Sequence, residues 1–214
     1  HANIEQRLHF VDDFSHKSRL LDHLLRDVSI DQAVVFTATK RDADAISEQL
    51  NVAGFATAAL HGDMHQSARN RTLAAMRNGR VRVLVATDVA ARGIDVPTIT
   101  HVFNFDLPKS PEDYVHRIGR TGRAGRNGLA ISLVHHAEYR NVKNIERFTR
   151  QEIPVNVVAG HEPRKSGAAA RGRSTGWKPG DGRRAAPAGQ RNRSRFGKPG
   201  ARNADSGRRS FNDR

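Results

Sequence analysis

The chain has 214 residues, with 36 Lys and Arg against 22 Asp and Glu, and a formal net charge of +14 at pH 7. It has no cysteine, which excludes a disulfide framework, a thiolate metal site and a Cys nucleophile. No apolar run approaches the roughly 18 residues of a membrane span and no signal-peptide pattern opens the chain. The expectation is a soluble cytoplasmic protein with an anionic partner and no membrane contact.

In chain order, the apolar runs Ile4–Val11, Ala33–Thr37, Thr57–Leu60, Val81–Ala86, His101–Phe105 and Ala130–Val134 predict strands. Between them Leu20, Leu21, Leu24 and Leu25 recur at helical spacing. Ala43, Ile46 and Leu50 do the same, as do Leu73 and Met76. Short buried strands alternating with helices predict an α/β fold whose mainly parallel sheet is covered on both faces. Val34–Phe36 and Val83–Val85 read as central strands, and the ligand edge of such a sheet lies beyond the strand carboxyl ends.

The composition changes after Ala159. Residues 1–159 hold 21 basic and 18 acidic side chains, whereas residues 160–214 hold 15 and 4. The second segment contains no Val, Ile, Leu or Met and has 10 of the 18 glycines. Without aliphatic side chains it cannot offset its ordering entropy, so a disordered basic tail over 160–214 is predicted behind a folded domain over 1–159.

Three loops concentrate polar chemistry. Leu60-His61-Gly62-Asp63, followed by Gln66 and Arg69, suits a phosphate at a helix start, or equally a plain turn capped by Asp63. Thr87-Asp88-Val89-Ala90-Ala91-Arg92-Gly93-Ile94-Asp95 follows the strongest strand. It fits a binding loop, or a capped helix with Arg92 in a structural ion pair. The third, Tyr114 to Arg126, spaces Arg117, Arg120, Arg123 and Arg126 around Gly119, Gly122 and Gly125. Glycines at that spacing would break a solvated helix, and fixed arginines on a constrained loop suit bidentate phosphate recognition.

His116-Arg-Ile-Gly-Arg-Thr-Gly-Arg123 resembles motif VI of the DEAD-box ATP-dependent RNA helicases. Val83 to Asp95 resembles their motif V, Val34 to Lys40 their motif IV, and Leu60 to Arg69 the RNA-contacting motif between them. The matches follow the family's order and span Ile4 to Arg150. Related DNA helicases and the DEAH group usually carry Gln where His116 stands. The resemblance implies the second RecA-like domain of the helicase core, a three-layer α/β unit.

The chain contains no G-x-x-x-x-G-K-[ST] loop and no Asp-Glu-Ala-Asp. In the family these lie on the first RecA-like domain, which also holds Mg²⁺, so a metal site is not expected here. The resemblance implies that Arg120 and Arg123 are arginine fingers toward ATP. It implies that Asp95, with Gly93, accepts from the ribose hydroxyls, and that His116 sits between the two domains. Thr87, Gly62 and Arg69 are the first candidates for RNA backbone contacts, with Gln66, Asp88, Thr37 and Lys40 nearby. Arg117 and Arg126 are expected to be structural or solvated.

By this reading the chain is inactive without the missing N-terminal RecA-like domain. RNA is the expected partner, bound without base reading, and ribosome-assembly and RNA-decay partners fit equally. In the tail, Trp177, Phe196 and Phe211 could stack on unpaired bases among the basic clusters. The competing reading is a stand-alone nonspecific RNA-binding or annealing protein. Because the sequence opens on His1 instead of Met, further coding sequence upstream is expected.

Overall fold

Residues 3–164 are described in a computed structural model, where strands and helices alternate. In order they are β1 (Ile4–Val11), α1 (Phe14–Leu25), β2 (Gln32–Phe36), α2 (Lys40–Val52), β3 (Thr57–Leu60) and α3 (Gln66–Arg77). Then come β4 (Val83–Ala86), α4 (Asp88–Ala91), β5 (Ile99–Asn104), α5 (Pro111–Ile118), β6 (Gly128–His135) and α6 (Tyr139–Thr149). The strands form one sheet in the order β1-β6-β5-β2-β4-β3, with every pairing parallel. Strands of one direction need a helical return between neighbours, which is why the helical patterns separate the apolar runs.

Side-chain alternation along the central strands splits the core in two. Val35 lies opposite Val85 and Phe103, and these pack with Leu21 of α1 and Ile46 of α2. One residue earlier, Val34 lies opposite Leu84 and Val102, which pack with Met76 of α3 and Ala90 of α4. A third cluster seats Tyr114 of α5 and Val142 of α6 on Leu8 and Ala130. The result is an α/β domain of three layers. Each fully buried Leu or Val contributes about 1.5–3 kcal/mol over its exposed state.

Local signals fix the helix starts. Asp13 accepts from His16 N at α1, Thr39 from Asp42 N at α2, and Ser110 from Asp113 N at α5. In α5, Pro111 stands in the first turn with Glu112 and Asp113, while His116 and Arg117 occupy the last turn, complementing the helix dipole. The main departures from the predicted strands are at their ends. β2 starts at the buried Gln32, whose amide donates to the carbonyls of Met76 and Val81. β6 runs to His135 because it pairs along the whole of β1.

Beyond α6 the chain lies along the open edge of β1. Leu8 N donates to Pro154 O and Asn156 N to Leu8 O, covering part of an edge that would otherwise be unpaired. Val158 packs on the α1 side of the core, and the His161 ring lies 4.7 Å from that of His23. His16 Nδ1 accepts from Asp12 N, which leaves Nε2 to donate to His161 O at 2.8 Å. Arg164 N reaches both Asp12 carboxylate oxygens. Packing thus continues five residues past Ala159. Positions 165–214, and with them the tail aromatics Trp177, Phe196 and Phe211, lie outside the described residues.

Candidate functional site

Two of the three polar loops lie at the carboxyl ends of strands, one after β3 and one after β4. The third does not, contrary to the expectation of a single ligand edge. α5 leaves the carboxyl end of β5 and returns the chain about 12 Å across the sheet, at 1.5 Å per residue. It delivers Gly119–Asn127 to the amino ends of the strands. There Thr121 Oγ1 donates to Ile99 O at the start of β5, and Asn3 Nδ2 donates to Gly122 O just before β1. A loop that follows a returning helix must emerge at the edge opposite one that follows a strand.

The loop between α4 and β5 meets this arginine loop. Arg120 Nη1 donates to Ile94 O at 2.8 Å, and Arg123 Nη1 donates to the same oxygen at 3.3 Å. Arg120 Nε also reaches His116 O at 3.3 Å. Arg123 Nε lies 3.4 Å from Asp95 Oδ1, a carboxylate that is 70% exposed. Gly93 has φ +76, a left-handed conformation that glycine adopts without strain and that lets the chain turn toward Ile94. Burial lowers the Arg120 pKa and the Arg123 charge lowers it further, while Asp95 opposes both. Two guanidinium groups share one neutral carbonyl and face one exposed carboxylate, which leaves a net positive charge, the electrostatic condition for holding an anion.

Beside this cluster lies a concave surface lined by Asp88, Arg92, Gly93, Asp113, His116 and Arg120. His116 is exposed there. Arg117, one residue on, is 2% exposed and forms part of the floor of the same surface. It binds Asp88 through two bonds of 2.6 and 2.7 Å, donates to Asn104 Oδ1 and Asp106 O, and lies 5.1 Å from the Phe36 ring centre. Arg117 therefore has the structural pairing expected of it. The acid in the β4 loop is taken by Arg117, not by Arg92.

The other proposed site residues surround the carboxyl ends of β2, β3 and β4. Lys40 Nζ lies 2.5 Å from Asp63 Oδ2, and this pairing holds the Asp63 carboxyl below its usual range. Asp63 is not the cap of α3; His65 takes that position and makes no side-chain cap bond. Gly62 is exposed, with open space where a Cβ would stand. Gln66 bonds Asn70, and Arg69 Nη2 reaches Arg92 O at 3.5 Å. Thr87 caps α4 without a side-chain cap bond.

Two of the expected RNA contacts are engaged internally. Thr37 is fully buried, with its hydroxyl donating to Thr39 O, so it shapes the loop from inside. Asp88 has both carboxylate oxygens on Arg117. A carboxylate so placed would repel phosphate, so its role here is to hold α5 against α4.

The helicase conserved C-terminal domain family matches residues 16–125. The chain is 42% identical over 161 residues to the ATP-dependent RNA helicase SrmB of Haemophilus influenzae, covering 75% of this chain and 37% of that protein. It is 50% identical over 137 residues to the DEAD-box ATP-dependent RNA helicase CshA of Bacillus cereus, covering 64% and 26%. The crystal structure of E. coli DEAD-box protein SrmB bound to regulator of ribonuclease activity A superposes with a TM-score of 0.73 at 42% identity. That match covers 76% of this chain and 96% of the SrmB chain. This chain is a DEAD-box C-terminal RecA-like domain.

The match spans 37% of the length of the Haemophilus influenzae relative and 26% of the Bacillus cereus one. Among the described residues of this DEAD-box domain, no group of three or more His, Asp or Glu could hold a metal ion. No helix among them is long and apolar enough to cross a membrane. Sequence reasoning missed three parts of the arginine site: Asn3, Thr121 and the Ile94 carbonyl. Thr121 lies inside the matched motif and could have been flagged. A backbone carbonyl has no side-chain signal, and Asn3 is brought in only by folding.

Proposed function

We propose that this chain is the C-terminal half of an ATP-dependent RNA helicase that acts with a first RecA-like domain and is inactive without it. The observation that carries this reading is the convergence of Arg120 and Arg123 on Ile94 O, beside Asp95 and Gly93. ATP supplies the phosphoryl group whose transfer to water drives the cycle, and its Mg²⁺ is held by the other domain. Arg120 and Arg123 give up the neutral carbonyl for phosphate oxygens and neutralise the charge that grows there, an effect worth about 10³–10⁵ in turnover. Asp95 exchanges its 3.4 Å contact with Arg123 for ribose hydroxyls. His116, exposed beside Arg120, faces the partner domain.

RNA crosses the opposite edge, at the carboxyl ends of the strands. Arg69 and Thr87 contact its phosphates, and Gly62 allows close backbone approach. Lys40 joins them by releasing Asp63, because solvent and salt screen an exposed pair of this kind. Gln66 is free to exchange its bond to Asn70. These groups are placed for phosphate and sugar contacts, which supports sequence-independent binding. The basic segment beyond Arg164 tethers the same RNA nonspecifically.

The experiment joins this chain to a first RecA-like domain and measures RNA-stimulated ATP hydrolysis with and without Arg120→Ala. Loss of hydrolysis with retained RNA binding is expected. Unchanged turnover would remove the finger assignment.

A further inference from the structure

The arginine loop contains a strained turn. Ala124 has φ +53 and Gly125 φ +75, so two consecutive residues are left-handed and one of them carries a Cβ. Arg126 N closes the turn on Arg123 O at 3.0 Å. Such a conformation persists where its surroundings over-determine it. Here the side-chain hydrogen bonds to the turn's backbone come from one residue, Asn3. Asn3 Nδ2 donates to Gly122 O at 2.6 Å and to Arg126 O at 2.8 Å, and Asn3 O accepts from Gly128 N at 2.9 Å.

Gly122 O belongs to the peptide unit that carries Arg123 N, and Arg126 ends the turn. One amide group therefore grips both ends of Arg123–Arg126, using both of its N–H donors. The fit is close. A Cβ on Gly122 would stand 2.7 Å from Ile4 Cγ1 and 3.1 Å from Asn3 Nδ2, so the loop lies directly on the start of β1. Among the described residues no other side chain donates to the backbone of 122–126, whereas the start of the loop is steadied by Thr121 on Ile99 O.

We propose that Asn3 is a positioning residue for the arginine pair, locking the left-handed turn that aims Arg123 at the nucleotide. This rests on the finger reading above. Misplacing a catalytic group by about 1 Å can cost about 10²-fold in rate. The clamp acts on turnover and lies at the opposite edge of the sheet from the proposed RNA path.

The test uses this chain joined to a first RecA-like domain. Asn3→Asp keeps the shape but replaces the NH2 group, and both its donors, with one carboxylate oxygen that faces the two carbonyl oxygens, and Asn3→Ala removes the clamp. RNA-stimulated kcat, KM for ATP, RNA Kd and thermal melting are measured for each, with Arg120→Ala as reference. A fall in kcat of tenfold or more in both variants is expected, with RNA Kd within twofold and the fold intact at the assay temperature. Turnover within twofold of the parent in Asn3→Asp overturns the proposal, as does a kcat loss matched by an equal loss of RNA affinity. An active Arg120→Ala instead overturns the finger reading on which it rests.

Discussion

Arg117 and Asp88 meet in a bidentate ion pair across 29 residues of sequence, Nε to Oδ1 at 2.6 Å and Nη2 to Oδ2 at 2.7 Å. The pair ties α5, which leads into the arginine loop, to α4, which leads into Gly93 and Asp95. Arg117 is buried and Asp88 is 37% exposed on its side chain, so the acid keeps part of its hydration.

Replacing Arg117 with Ala removes the counter-charge and strands Asn104 Oδ1 and the Asp106 carbonyl in the interior. Breaking a fully buried pair costs about 3–5 kcal/mol, and the exposure of Asp88 lowers that to about 2–3 kcal/mol. Denaturant unfolding of Arg117→Ala should show a loss of that size. Arg117→Lys should recover little, because an ammonium cannot reproduce the two-bond fork.

The finger assignment has a second arm in Arg123. In the chain joined to a first RecA-like domain, Arg123→Ala should lower ATP turnover by about 10³-fold or more while RNA affinity stays the same. Filter binding and steady-state hydrolysis on one preparation separate the two effects. A parallel fall in RNA affinity would move Arg123 to the RNA surface.

The basic segment should dominate the salt response of RNA binding. If about five of its charges meet phosphates, the logarithmic salt slope is about −3.5 for a single strand. Truncation after Arg164 should remove most of that slope. This cut is preferable to one after Ala159, because it keeps His161 on His16 and His23 and Arg164 on Asp12. A slope that survives truncation would place the binding charge on the folded domain.

Stability should fall in mild acid. His9 is buried in β1, and burial, helped by Arg7, lowers its pKa from 6.5 to about 4. The unfolded chain therefore binds the proton first as pH falls. The folded state is undiminished above about pH 6.5 and loses up to about 3 kcal/mol as pH drops toward 4. Thermal melts across that range should be flatter for His9→Gln than for the parent.

The element order, the parallel three-layer class and the arginine motif were all legible in the sequence. Apolar runs in Val34–Phe36 and Val83–Val85, helical spacing in Leu20–Leu25 and the glycines between the arginines are local patterns, set by backbone geometry over a few residues. The tertiary structure alone decided the pairings. Asp88 takes Arg117 and not the nearer Arg92, Thr37 turns inward, and Asn3 grips a turn 119 and 123 residues away. It also separated the loops, sending the arginines to the amino edge while the phosphate-contact candidates stay at the carboxyl edge. The physical reason is the strand order: a parallel sheet places residues side by side according to crossovers that no local periodicity encodes, and each pairing is settled by which partner burial brings within hydrogen-bond reach.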